Sequence, residues 1–299
     1  MSIARVPEPV THLIIENAPL WPLTSMRAGG PARWLAKPTT VTELEALLAW
    51  IQGAYLPHVV LGGGTNVLFS DKGYPGVVLC TRELKGIQID GTSVTVSAGE
   101  MLAATARRLN RLGLSGMEWA CGIPGTVGGA VVMNAGTQDG DMSDIVESVR
   151  LLTSSGVRKC SVEHLKLGYR TSALRTCERE GIVLEASLKL RLDDPTQCAK
   201  RERTLLDERL KTQPRGASSG CIFKNPDTGP SAGMLLDRAG CKALRVGATH
   251  VSALHANFII NDGQDNAADV LALIDRMRVQ VLEHHGVTLR QEVQVITTS

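Results

Sequence analysis

Between Gly116 and Gly136 the chain reads GMEWACGIPGTVGGAVVMNAG, with six glycines in twenty-one residues, one acidic side chain and no basic one. Glycine is the costliest residue to order, so such a cluster persists where backbone takes unusual φ/ψ or presses on a neighbour with no Cβ between. The stretch is apolar enough to be buried, and buried loop backbone must find partners for its N–H and C=O groups. Two readings stand. Either an extended, polar, planar ligand such as a flavin dinucleotide meets those groups, or a glycine-rich turn packs inside a core.

A second cluster follows the short apolar run LPHVVL, where a strand leads at once into Gly62, Gly63, Gly64, Thr65 and Asn66. A P-loop is excluded because no lysine completes the cradle. The dinucleotide fingerprint fails too, since Val67 stands where its third glycine belongs. What remains is a nest of N–H groups with two polar side chains, suited to a pyrophosphate, or a plain turn.

The rest of the chain alternates strand and helix signals. Gly29-Gly30-Pro31 predicts a tight turn into a first strand, ARWLAKP, where a phosphate or ribose has room to approach. Thr40 or Thr42 caps a helix whose Val41, Leu44, Leu47, Leu48 and Ile51 recur at helical spacing. GVVLCT, GIQID and SVTVSAG read as short strands, and residues 100–113 as a helix ended by Gly113. IVESVRLLT, GVRKCSV and GIVLEASLKLRL are further strands, with LKLGYRTSAL between the last two. Asp194-Pro195 opens a charged helix that reads as a link between domains. Beyond it come the polar loop TQPRGASSGCIFKNP, the helix SAGMLLDRAG, the extended HANFIIN and a helix from about Asn266 to His285. A closing strand, VTLRQEVQVIT, holds Glu292.

Composition bounds the function classes. The 299 residues suggest two domains, and 43% hydrophobic with 21% charged residues is a globular balance. A net charge of +2 with no basic run gives no electrostatic footprint for nucleic acid or an anionic membrane. The first twenty residues lack the apolar core of a signal peptide and no window is long enough for a membrane span, so a cytoplasmic protein is expected. Seven scattered cysteines without a C-x-x-C pair fit reduced thiols better than a disulfide framework or a metal site, and six of them read as small buried hydrophobes.

Tyr169-Arg170, Gly220-Cys221 and Glu292 are candidate chemistry, although singly each has a bland reading as surface or packing. LTSMRAGGPA, LGGGTNVLFSDKGYPGVVL, GIPGTVGGAVVMNAG, LGYRTSAL, GCIFKNP, SAGMLLDRAG, HANFIIN and GVTLRQEV occur in this order, covering about residues 20–296. Together they resemble the UDP-N-acetylenolpyruvoylglucosamine reductase family, flavoenzymes that make UDP-N-acetylmuramate for bacterial peptidoglycan.

The resemblance implies an α+β chain: a two-part FAD-binding region of the vanillyl-alcohol-oxidase (PCMH-like) type over residues 1–192, a linking helix over 193–212, and a smaller α/β substrate-binding domain over 213–299 whose last strand returns towards the flavin. It implies non-covalent FAD, with Gly62, Gly63, Gly64, Thr65 and Asn66 at the pyrophosphate and Gly122, Ile123, Gly125, Val127, Gly128 and Gly129 lining the dinucleotide. Arg170, Cys221 and Glu292 match catalytic positions, and Tyr169, Lys224 and Asn225 match substrate-facing ones. Cys221 departs from the serine that most relatives carry in the GS-x-F-KNP block. Only fifty residues separate Arg170 from Cys221, as in the shorter family type without a tyrosine-bearing lid. NADPH is the implied reductant and UDP-N-acetylenolpyruvoylglucosamine the partner, with a monomer expected. The rivals are a flavin-dependent alcohol or sugar oxidase of the same fold and a non-catalytic nucleotide-binding module.

Overall fold

The computed structural model describes residues 6–263 and 266–297. Helices and sheets are mixed along the chain, as α+β. The described residues divide into two compact units: one holds 6–15, 34–63 and 76–209, the other 16–33, 64–75, 210–263 and 266–297. The second unit therefore draws two segments from the part that the sequence places in the 1–192 region, and its own contacts say why. The strand Val67–Phe69 pairs in parallel with Gln294–Ile296, and the Asn261 side-chain amide donates to the Met26 carbonyl at 2.9 Å.

The first unit is built on a five-stranded antiparallel sheet in the order Gly156–Ser161, Val146–Thr153, Ile182–Lys189, Ser93–Ser97, Ile87–Asp90. Val94, Val96, Val149, Ala186 and Leu188 point to one core. Leu102, Ala106 and Leu109 of the helix Leu102–Arg111 pack into it, the i, i+4, i+7 stripe of an amphipathic helix. Gly113 follows that helix with φ +72°, the left-handed C′ position that glycine fills without strain. A second core gathers Trp34, Leu44, Leu47, Leu48, Ile51, Val77 and Leu79. Its helix, Val41–Gly53, starts at Thr40 with a capping box: the Thr40 hydroxyl accepts from Glu43 N–H, and the Glu43 carboxylate from Thr40 N–H, both at 3.2 Å.

In the second unit the helices Ala232–Arg238 and Ala267–His285 share a core with Ile222, Phe223, Val251 and Ile259. The long helix has no cap from Asn266; instead the Asp71 carboxylate accepts from Ala267 and Ala268 N–H at 2.7 and 2.9 Å. A remote aspartate thus satisfies two orphan donors at the positive helix end.

Three expectations change. Ile14–Pro19 is a strand ahead of Pro31–Ala36, so the strand after Gly30 is not the first. The turn packs on protein at one side, where a Cβ on Gly29 would meet Phe69 Cβ at 2.8 Å. The closing strand is only Gln294–Ile296, paired with Val67–Phe69, and Glu292 precedes it in a stretch that bonds to residues 222–224 instead. Five cysteines are buried rather than six, Cys177 being exposed at a left-handed loop position, φ +59°. Burial pushes the Cys121 thiol up to about 12 and that of Cys241 up to about 11.

The glycine-rich stretch is not loop throughout. Glu118–Gly122 is a 3-10 turn and Val127–Met133 an α-helix capped by Thr126. Its single acid, Glu118, is buried, accepting from Ser115 hydroxyl and Gly116 N–H at 2.8 Å each and from Arg201 at 2.8 Å. Burial raises the Glu118 carboxyl, but the Arg201 guanidinium, with the Gly116 and Ser115 donors, outweighs it and leaves the group below its ordinary value. A depressed folded value means stability present above the unfolded pKa of about 4.3 and lost as pH falls through the folded one. Arg201→Ala should therefore cost about 2 kcal/mol at pH 7, less than a fully buried pair because the arginine side chain is 44% exposed. Urea unfolding at pH 7 and near pH 3 checks this; a cost that does not shrink in acid contradicts the assignment.

Candidate functional site

In the first unit the glycine turn and the glycine-rich stretch meet. A Cβ on Gly63 would lie 2.5 Å from Gly125 Cα, and one on Gly62 would strike the Thr126 hydroxyl. Close backbone approach, which no other residue permits, explains both glycines. Arg82 fastens the turn, donating from Nε to Gly62 O at 3.0 Å and from Nη2 to Gly63 O at 2.6 Å. Gly64, at φ +66°, gives its carbonyl to Ser25 N–H at 2.9 Å. Three successive carbonyls thus have protein donors, which fixes the backbone of the turn.

The second stretch is satisfied differently. Gly125 O accepts from Leu102 N–H, Val127 N–H donates to Glu100 O, Gly128 N–H to Ala98 O and Gly129 N–H to the Thr126 hydroxyl. Ile123 N–H goes to Ala120 O. These groups have protein partners, so what glycine supplies here is packing: a Cβ on Gly128 would come 2.8 Å from Ala98 Cβ, and one on Gly122 2.5 Å from Arg209 Cδ.

Tyr169 and Arg170 form the tip of a two-residue hairpin whose ends, Gly168 and Thr171, exchange both N–H···O bonds at 3.1 Å. Arg170 sits at φ +53°, a sparsely populated region for a side chain that is not glycine. Its guanidinium donates to Gly136 O at 2.6 Å and lies 5.6 Å from the Tyr169 ring centroid. Arg175 donates to Arg170 O at 3.0 Å.

Cys221, Lys224 and Glu292 come together in the second unit. The extended run from Cys221 to Lys224 lies in a ladder: Glu292 N–H donates to Ile222 O at 2.7 Å and Lys224 N–H to Arg290 O at 2.8 Å. On its other side Ile222 N–H donates to Asn257 O, and Cys221 bridges Phe258. The buried Asn257 side chain grips Phe223, accepting from its N–H at 2.9 Å and donating to its carbonyl at 2.8 Å. The exposed Asn225 caps the next helix, its Oδ1 accepting from Ala232 N–H at 3.0 Å. Asn66 donates from Nδ2 to Glu292 O at 3.2 Å and accepts Gln294 N–H on its carbonyl, which ties Thr65-Asn66 to the glutamate. Arg82, Asn134 and Asn257 escape sequence reasoning. The two asparagines sit inside apolar runs, VVMNAG and HANFII, where a buried amide must be hydrogen-bonded, and that was the available signal.

Known proteins match over nearly the whole chain. Residues 32–161 match the family described as FAD binding domain, and residues 212–296 that of UDP-N-acetylenolpyruvoylglucosamine reductase, C-terminal domain. The chain is 41% identical over 295 residues to the UDP-N-acetylenolpyruvoylglucosamine reductase of Chloroflexus aurantiacus, covering 96% of this chain and 98% of that one. It is 42% identical over 284 residues to the protein of that name from Synechococcus sp. RCC307, covering 93% and 92%. The crystal structure of UDP-N-acetylenolpyruvylglucosamine reductase from Thermus caldophilus superposes with a TM-score of 0.81 at 38% identity, over 94% of this chain and 97% of that one.

Proposed function

The chain belongs to the UDP-N-acetylenolpyruvoylglucosamine reductase family, and from that premise we propose that it reduces the enolpyruvyl group of UDP-N-acetylenolpyruvoylglucosamine with NADPH. It is an FAD-dependent oxidoreductase of peptidoglycan precursor synthesis. The observation that supports the site assignment is the ladder in which Glu292 N–H donates to Ile222 O, so that Glu292 lies on the segment neighbouring the one that carries Cys221.

The residues suit the cofactor. A glycine turn whose carbonyls are already held by Arg82 and Ser25 is the kind of backbone that a pyrophosphate meets through N–H groups. We assign Gly62, Gly63, Gly64, Thr65 and Asn66 to it, and Gly122, Ile123, Gly125, Val127, Gly128 and Gly129 to a surface without side chains against the rest of the dinucleotide. Bound FAD supplies the hydride carrier between NADPH and the terminal methylene carbon of the substrate.

The protein's own work is electrostatic and protonic. As the methylene carbon gains hydride, negative charge develops at the α-carbon and spreads into the carboxylate. Arg170 meets that charge as a fixed cation needing no reorganisation, and preorganised charge of this kind contributes more to such a step than any other single effect. Cys221 supplies the α-proton, since a thiol with an ordinary pKa of about 8.5 is mostly protonated at neutral pH. Glu292 acts with it in the proton step, and Tyr169, Lys224 and Asn225 orient the sugar nucleotide. Among the described residues no helix is long and apolar enough to cross a membrane. The enzyme works as a cytoplasmic monomer on a soluble nucleotide sugar.

Cys221 gives the test. Cys221→Ser should retain turnover and lose an alkaline limb near the thiol pKa, because a hydroxyl does not titrate there. Cys221→Ala should be reduced normally by NADPH but lose about 10² in the sugar-dependent step, the scale of one proton donor. Visible spectra before and after NADPH, then after sugar nucleotide, read both. Near-normal turnover in Cys221→Ala leaves the residue as packing. A flavin reoxidised by oxygen with an alcohol donor, and not by the sugar nucleotide, returns the oxidase reading.

A further inference from the structure

The hairpin that presents Arg170 is gripped at its entry by a buried side chain, Asn134. Asn134 is 2% exposed and ends the helix Val127–Met133 in the left-handed conformation, φ 42° and ψ 60°. Its amide nitrogen donates to Gly168 O at 3.0 Å and to Asp141 Oδ2 at 3.1 Å, and its oxygen accepts from Ser143 N–H at 3.0 Å. Gly168 O is the carbonyl that also receives Thr171 N–H, the bond closing the two-residue tip. We propose that Asn134 is a positioning residue for Arg170: by bonding the Gly168 carbonyl and the 141–143 turn together, it fixes where the Tyr169-Arg170 tip stands on the glycine-rich helix. The proposal rests on the catalytic reading of Arg170 given above for its consequence, though not for its geometry.

The surroundings concentrate the task on this side chain. Arg170 at φ +53° is a conformation that relaxes unless neighbouring contacts over-determine it. Two further bonds reach the hairpin from the same helix end. The Ser172 hydroxyl donates to Val132 O at 2.6 Å, and Arg175 contacts Met133 Sδ at 2.8 Å while holding Arg170 O. Both act beyond the tip, at or after the arginine. Asn134 alone among these grips the strand entering it, and a buried amide has no water to replace a lost partner.

Asn134→Gly keeps a residue at ease with positive φ and deletes the three side-chain bonds. Asn134→Asp keeps the acceptor for Ser143 N–H, loses the donor to Gly168 O and sets a carboxylate against Asp141. Two readouts are taken on the flavin-loaded protein. Hydrogen exchange at the Thr171 amide should quicken at least tenfold in both variants. Flavin reduction by NADPH should stay within about twofold of wild type, while kcat for reoxidation by UDP-N-acetylenolpyruvoylglucosamine falls tenfold or more with KM little changed, since the charge-stabilising group is displaced rather than removed. Unchanged Thr171 exchange overturns the positioning. Quickened exchange with normal reoxidation overturns its catalytic consequence. If neither variant retains flavin and fold, Asn134 belongs to folding and the proposal falls. A wild-type enzyme that the sugar nucleotide does not reoxidise sinks the functional reading instead, and the exchange measurement still decides the geometry.

Discussion

An Arg170→Ala enzyme should still be bleached by NADPH at the wild-type rate while its reoxidation by UDP-N-acetylenolpyruvoylglucosamine slows by about 10³. The guanidinium already spends one donor on Gly136 O at 2.6 Å, and its carbonyl is held by Arg175. The charge therefore arrives pre-oriented, and losing one such preorganised group costs on the order of 10²–10³. Glu292→Ala should behave alike at about 10², because its backbone ladder to Ile222 survives truncation of the side chain. Stopped-flow absorbance of the two half-reactions separates the steps. Equal losses in both would assign these residues to architecture.

The second large effect concerns flavin retention. Gly128→Leu should yield colourless protein, since the Cβ alone would come 2.8 Å from Ala98 Cβ and 3.2 Å from its carbonyl, forcing the glycine-rich helix off its strand. Gly64→Val adds a Cβ against the Leu23 carbonyl at φ +66° and should do the same. Bulk also acts through folding, so Arg82→Met is the decisive companion. It adds no volume but frees the Gly62 and Gly63 carbonyls, and FAD affinity should fall about 10- to 100-fold, the worth of one to two charge-assisted hydrogen bonds. The FAD:protein ratio after gel filtration, with a titration of added FAD, measures it. Full flavin in all three would remove both loops from the cofactor.

Much of this was legible in the sequence, for reasons that can be named. Leu102, Ala106 and Leu109 repeat at helical spacing, and Thr40 stands three residues before Glu43, so the periodicity and the capping box predict their helices locally. The Val127–Met133 helix was not legible, because Gly128 and Gly129 lower helix propensity and only packing against Ala98 restores it. The shortened final strand escaped for a related reason: VTLRQEVQVIT has strand character throughout, yet residues 290–292 bond to 222–224 and only Gln294–Ile296 pairs with Val67–Phe69, a change of partner that no local pattern encodes. The grouping of residues 16–33 and 64–75 with the C-terminal part of the chain rests on long-range pairs that no local pattern encodes. Candidate chemistry at Arg170, Cys221 and Glu292 was visible only through ordered blocks, whereas Asn134 and Asn257 left no more than a polar residue in an apolar run and Arg82 announces itself by hydrogen bonds alone.

The parallel pairing of Val67–Phe69 with Gln294–Ile296 has a consequence for synthesis. Asn66 and Glu292, joined beside that pair, are 226 residues apart. At roughly 5–20 residues per second, a ribosome needs about 10–45 s between making one strand and the other. Throughout that interval Val67–Phe69, with Leu68 and Phe69 destined for full burial, is an apolar edge without its mate, open to whichever nascent chain or chaperone reaches it first.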